Sequence, residues 1–183
     1  MNINKLTNCV RIGAFKLNEK SDVKKNLNFI KDTKLLSKDY KKNDARVYFI
    51  TINDKIVKIG GSNAKGGIAG TIQPYCSGNS GRPSDRTFGV NYFIEQELRN
   101  NKKVEIYCQW MPAAKISVPS LTTKTFTKVS YSYKAMEEKC IEEYLNRNNG
   151  EHPIWNLQEA GKQWPKNIQK ARQRLLEGGR NEK

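Results

Sequence analysis

Two polar residues stand inside otherwise apolar strand-length runs. Arg46-Val47-Tyr48-Phe49-Ile50-Thr51-Ile52 is followed by Asn53-Asp54-Lys55 and then by Ile56-Val57-Lys58-Ile59-Gly60, a pattern that predicts a β-hairpin. Side chains of paired strands share a face when the loop holds an odd number of residues. A three-residue loop at 53–55 sets Ile52 opposite Ile56 and Ile50 opposite Lys58, leaving Tyr48 and Lys58 as diagonal neighbours on one face. A two-residue loop places them on opposite faces. If they meet, a lysine ammonium beside a phenol favours phenolate and draws the tyrosine's pKa down from about 10. The other reading makes Tyr48 a core residue and Lys58 a solvated one.

A carboxylate raises a similar question. The segment from Tyr133 to Arg147 has helical periodicity, and Met136, Cys140, Tyr144, Ile141 and Leu145 form an apolar stripe centred about 90° round the helix from Met136. Glu137 falls at about 100°, in the middle of that stripe, whereas Glu138 lies on its edge and Glu142 and Glu143 point to solvent. A carboxylate on a buried face costs several kcal/mol unless it is paired or coordinates a metal. Glu137 therefore either meets an internal Arg or Lys or serves as a metal ligand at the floor of a cleft.

Other chemistries are excluded or weak. The chain has one histidine, His152, so neither a two-histidine metal site nor a histidine acid–base pair can be built. Cys9, Cys76, Cys108 and Cys140 are widely separated, which reads as reduced, buried thiols and not as a zinc site. The stretch Gly60-Gly61-Ser62-Asn63-Ala64-Lys65-Gly66-Gly67 lacks P-loop spacing, although its Lys65 and backbone N–H groups suit contact with a phosphate. Asp85 with Glu137-Glu138-Lys139 can be forced into a PD-(D/E)xK arrangement, but that site needs strands, and the E-x-K here lies on a helical pattern.

These residues need elements to hold them. After the hairpin come a glycine-rich loop, a short helix to about Tyr75, a polar loop from Ser77 to Arg82, and a helix capped by Ser84 or Asp85 that runs to about Arg99. Val104 to Trp110 alternates as a third strand. Residues 112–133 have β character, and Ser130 or Ser132 caps the helix that bears Glu137. A loop containing His152-Pro153-Ile154-Trp155-Asn156 leads to a C-terminal helix from about Pro165 to Leu176. Residues 1–45 read as a helical arm, from the spacing of Val23, Leu27, Ile30, Leu35 and Leu36. The expected fold class is α+β, a small antiparallel three-stranded sheet flanked by helices, with helical N- and C-terminal extensions (1–45, 46–157 and 158–183).

The 183 residues carry 33 Lys and Arg against 18 Asp and Glu, a formal charge of +15. Such a charge attracts polyanions, nucleic acid first. Residues 1–45 hold 11 basic and 5 acidic side chains and residues 162–183 hold 7 and 2, so the excess sits mainly in the flanks. Lys162, Lys166, Lys170, Arg172 and Arg174 suit phosphate contacts. No run is long and apolar enough to span a membrane, and a soluble, cytoplasmic protein is expected.

Arg46-Val47-Tyr48, ten residues before Lys58-Ile59-Gly60, resembles the paired strand motifs of the GIY-YIG nuclease superfamily, here degenerate as RVY and KIG. The downstream order agrees, with Glu137 on a helix and Asn156 in Pro153-Ile154-Trp155-Asn156. The likeness spans about residues 46–157 and is strongest to the small restriction endonucleases of that superfamily, in which a lysine can replace the second tyrosine. The resemblance implies a site-specific double-stranded DNA endonuclease, acting as a homodimer with the N-terminal arm or residues 112–133 as interface. It implies that Tyr48 acts as general base or orients the attacking water, that Lys58 polarises it, that Glu137 is the sole protein ligand of one Mg²⁺ (Mn²⁺ able to substitute), and that Asn156 braces the site. It also calls for an arginine phosphate clamp. The helix directly after Lys58-Ile59-Gly60 has none, which leaves Arg82 and Arg86; Arg86 is preferred because it falls on the same side as Val90 and Phe93. The His or Tyr that usually follows this arginine is missing, and Tyr75 is a substitute or a DNA contact. From another class, the rival is a non-catalytic basic nucleic-acid-binding protein; within nucleases, the rival is a homing or repair enzyme that nicks as a monomer.

Overall fold

The computed structural model describes residues 1–19, 25–42, 44–112, 114–119, 124–129 and 132–181. Its centre is a five-stranded antiparallel sheet in the order β2-β1-β5-β3-β4, made of β1 (Val10–Leu17), β2 (Leu27–Lys31), β3 (Ala45–Ile52), β4 (Lys55–Ser62) and β5 (Val104–Met111). The α+β class holds. The sheet has two strands more than expected, and both come from residues 1–45, which were read as helical. Among its described residues that segment holds as helix only a 3₁₀ turn at Ile3–Lys5 and the single-turn α1 (Ser37–Tyr40). Leu27 is buried in β2 while Ile30, its supposed helical neighbour, is 52% exposed. Val23, the other residue of that periodicity, lies outside the described residues.

The remaining elements are α2 (Gly67–Cys76), α3 (Asp85–Arg99), a separate hairpin of β6 (Ala114–Pro119) and β7 (Lys124–Val129), α4 (Tyr133–Asn146) and α5 (Lys166–Asn181). The helix starts have visible causes. Ser84 Oγ accepts the Thr87 N–H, and Ser132 Oγ accepts that of Ala135, each satisfying a donor that the first turn leaves unpaired. Of the two caps considered for α4, Ser130 lies outside the described residues.

Two apolar layers cover the sheet. On one face Tyr48, Ile50, Ile106 and Cys108 pack with Ile68, Ile72 and Tyr75 of α2, Phe88 and Ile94 of α3, and Trp155, Trp164 and Ile168. On the other, Val47, Phe49, Ile56 and Ile59 meet Ile3, Tyr144 and the apolar stripe of α4. The strands buried on both sides thus read as continuous apolar runs in sequence. All four cysteines are free thiols; Cys76 and Cys108 are buried and Cys9 and Cys140 half-buried.

The β3–β4 hairpin differs from expectation in a way that preserves its consequence. Its turn has two residues, Asn53 and Asp54, both with positive φ (45° and 65°), as a type I′ turn requires. Ile52 faces Lys55 and Thr51 faces Ile56, not Ile52 facing Ile56. The register then shifts by one at Val57, and Ile50 faces Lys58. This bulge restores the parity that the shorter turn removed, so Tyr48 and Lys58 do share a face.

Candidate active site

Tyr48 and Lys58 are both buried, at 4% and 2% exposure. The reading with Lys58 in solvent is therefore wrong. Tyr48 faces Gly60 across the hairpin, and its ring lies over that glycine so closely that a Cβ there would come 2.4 Å from Tyr48 Cζ and Oη. The phenol shares a 2.6 Å hydrogen bond with the hydroxyl of Tyr75 from α2. Tyr75, weighed as a DNA contact, is itself buried at 5% exposure and belongs to the floor of the site. Asn91, on α3 and 1% exposed, donates to the Tyr75 carbonyl and so fixes the end of α2 from which that ring projects. Asn26 ties the N-terminal hairpin to the same point by accepting a second N–H of Asn91.

The electrostatics revise one expectation. Burial, and then Tyr75, push the Tyr48 phenol well above the ordinary tyrosine value; it is not drawn down by Lys58. Desolvation of a group that is neutral when protonated opposes its ionisation more strongly here than the neighbouring buried lysine favours it. The same burial moves Lys58 down to about 8, against the attraction of Glu159 and Glu137. The proton that can be exchanged near neutral pH is that of Lys58.

Glu137 reaches the site at the last residues of β4. The backbone there is Gly60-Gly61, and a Cβ on Gly61 would lie 2.8 Å from a Glu137 carboxylate oxygen and from the Tyr133 ring. The glycine is what lets α4 approach. The Gly61 N–H donates to the Glu137 carboxylate and holds its pKa down, but half-burial outweighs this and raises it, with the charge of Glu159 adding to the rise. From beside Gly61, on the face where α4 packs, the charge of Glu137 is felt at Tyr48, Lys58 and Tyr75. The residues suit one hard cation: Mg²⁺ is held through one or two carboxylates and keeps several waters. Among the described residues no group of three or more His, Cys, Asp or Glu gathers at one point.

Arg86, in the first turn of α3, is the arginine whose charge acts on Tyr48, Lys58, Tyr75 and Glu137. Arg82 is exposed in the preceding loop. The Arg86 guanidinium donates to Gln158 Oε1 at 2.9 Å and to Glu159 Oε1 at 3.0 Å. Asn156 is fully buried and grips one residue of β4 twice: Oδ1 accepts the Ile59 N–H and Nδ2 donates to the Ile59 carbonyl, both at 2.8 Å. It braces the backbone between Lys58 and Gly60.

Sequence reasoning missed Glu159 and Asn91. Glu159 lies three residues beyond Asn156 in a stretch with no periodicity, and Asn91 reads as an ordinary helix residue. Arg46, the first letter of the degenerate motif, has a structural use that was also missed: it is fully buried and donates to the carbonyls of Lys42, Asp44, Ala64 and Gly67, tying the entry of β3 to the start of α2.

The outer basic residues fare unevenly. Lys65, Lys162, Lys166, Lys170 and Arg174 are exposed. Arg172 is not a free phosphate contact, because its guanidinium donates to the Pro83 carbonyl and pairs with Asp85 at 3.0 Å, docking α5 on the start of α3. The same pairing, with Glu137-Glu138-Lys139 on helix α4, removes the PD-(D/E)xK arrangement.

No protein-family model and no curated protein matches the chain. Among solved structures it is similar to EndoII of bacteriophage T4, determined as an alanine mutant, with 19% identity and a TM-score of 0.50 over 85% of this chain and 98% of that one. The chain shares the fold of the T4 protein. The restriction endonuclease Hpy188I, in complex with product DNA, is similar at 21% identity and a TM-score of 0.45, over 84% of each chain.

Proposed function

We infer that the chain is a Mg²⁺-dependent DNA endonuclease of the GIY-YIG type, acting on double-stranded DNA at specific sites as type II restriction enzymes do. The observation that carries this reading is the gathering of Tyr48, Lys58, Tyr75, Arg86 and Glu137 about one end of a single hairpin. The shared fold with T4 EndoII and the +15 charge agree with it.

In this reading Arg86 binds the scissile phosphate as a charged fork and stabilises the charge that builds on its oxygens. The Tyr48 hydroxyl, held by Tyr75, orients the attacking water. Lys58, whose amine is available as pH approaches 8, accepts the water's proton directly or through the phenol. The new bond forms between water oxygen and phosphorus as the bond to the 3′ oxygen breaks. Mg²⁺, when bound on Glu137, supplies Lewis-acid stabilisation of that leaving oxygen. Asn156 acts through the backbone, keeping Lys58 and Gly60 in register. Cutting both strands calls for two such sites, hence a homodimer.

Incubation with duplex DNA of varied sequence, with and without Mg²⁺, tests this. Discrete bands that need Mg²⁺, reduced at least a hundredfold in Glu137→Gln while DNA binding persists, are expected. Salt-sensitive binding without cleavage under any metal condition would refute the enzyme and leave a basic binding protein. Single-strand nicks from a species that sediments as a monomer would refute the dimeric reading.

A further inference from the structure

One charged residue of the cleft has no part in the chemistry described above. Gln158 and Glu159 present two side-chain oxygens to two N–H groups of the same guanidinium, Nε and Nη2 of Arg86. Two oxygens of a phosphate diester offer that fork the same contacts. The Glu159 carboxylate is also felt by the other groups of the cleft: its charge acts on Lys58, Glu137 and Tyr75, and among the charges acting on Lys58 it is the largest. One carboxylate, seconded by an amide oxygen, therefore sits in the field of both cations of the site, Lys58 and Arg86.

The carrier of these oxygens is firmly built. The Lys162 N–H donates to the Leu157 carbonyl and the Gly161 N–H to that of Gln158, with Gly161 at a φ of 66°. This is the Schellman arrangement of nested hydrogen bonds closed by a left-handed glycine. Its start is fixed too, because Asn156 is anchored to β4. Glu159 is 21% exposed at its side chain and Arg86 45%, so the pair lies at the surface, where an incoming polyanion meets it.

We propose that Glu159, aided by Gln158, is an internal stand-in for the scissile phosphate: a positioning residue that holds the Arg86 guanidinium in place and yields it to DNA. The inference rests on the phosphate-clamp reading of Arg86. Glu159→Gln keeps an oxygen for Arg86 but removes the competing charge, so the variant should bind DNA more tightly, where a merely structural loss would weaken binding.

The test measures binding of fluorescent duplex DNA by anisotropy with Ca²⁺ in place of Mg²⁺, so that no turnover intervenes. Glu159→Gln is expected to bind roughly threefold to fivefold more tightly, the range of an exposed ion pair. The charge control Glu151→Gln, exposed and not among the partners of the Arg86 guanidinium, is expected to gain less. In an Arg86→Met background the gain from Glu159→Gln should vanish. With Mg²⁺, KM should fall in Glu159→Gln without a rise in kcat. A gain equal to that of Glu151→Gln, or one that persists without Arg86, would overturn this inference alone. Failure of the wild type to bind duplex DNA would overturn the proposed function and this inference with it.

Discussion

Replacing Gly60 with alanine isolates the contact on which the site's geometry turns. Gly60 has no positive φ, so its backbone accepts any residue, and the cost of a methyl group comes from space alone. The added Cβ would lie 2.4 Å from Tyr48 Cζ and Oη and 2.8 Å from Cε1. The neighbour is a ring held at both ends, packed in the core and bonded to Tyr75, so it cannot yield cheaply. Overpacking of this kind costs about 1–3 kcal/mol, and loss of the buried hydroxyl contact adds about 1 kcal/mol. For a domain of this length each kcal/mol lowers the midpoint by about 2–4 °C, and a fall of about 4–15 °C in thermal denaturation is expected. DNA cleavage should fall further than stability, because the displaced phenol no longer faces the water. Gly70→Ala is the matched control. It lies inside α2, where a Cβ meets only the Ala64 methyl at 3.5 Å, and should stabilise by up to about 1 kcal/mol through helix propensity. Tyr48→Ala should cost less in the Gly60→Ala background than in the wild type, since removing the ring makes room for the methyl. A Gly60→Ala protein with unchanged midpoint and full cleavage would refute the placement of Tyr48.

Further outcomes follow from the same geometry. Asn156→Ala leaves the N–H and carbonyl of Ile59 buried without partners, at about 1–3 kcal/mol each. Denaturant melts should show a loss of about 2–6 kcal/mol, and Asn156→Asp, which keeps the acceptor but not the donor, should not restore it. Lys58 gives a pH signature. Its folded pKa of about 8 lies below the ordinary 10.5, so between these values the unfolded chain binds a proton that the folded chain does not, and stability rises with pH. The rise, at most about 3 kcal/mol, should disappear in Lys58→Met when denaturation is followed from pH 7.5 to 10.5. In cleavage assays kcat/KM of the wild type should climb through about pH 8; a profile that falls there would show Lys58 acting as the cation.

What the sequence made legible was parity and periodicity, and what it hid was tertiary. The meeting of Tyr48 and Lys58 was readable because alternation constrains a hairpin whatever its turn, although the turn length was misjudged and the Val57 bulge repaired the error. Glu137 was readable because a charge inside a helical apolar stripe is anomalous, and Arg86 because it shares a side of α3 with Val90. The N-terminal strands were not readable. β1 pairs with β5 across more than ninety residues, and its Arg11 reaches a fully buried Glu105 and also Asp32, a network with no local trace. The phenol's raised pKa was hidden too, since a pairing argument cannot weigh a charge against burial. Glu159 escaped because its meaning depends on a turn anchored to a strand far back in the chain.

The grip of Asn156 on Ile59 spans 97 residues, and this sets an order in time. The hairpin with Tyr48 and Lys58 leaves the ribosome before Arg86, Glu137, Asn156 and Glu159, which follow one after another. At synthesis rates of about 5–20 residues per second, roughly 5–20 seconds separate the first half of that clasp from the second. A nascent chain in that interval owns the tyrosine and the lysine but not yet the brace. Whatever chemistry this site performs, it can perform only once residue 159 has been made, so shorter nascent fragments are inert.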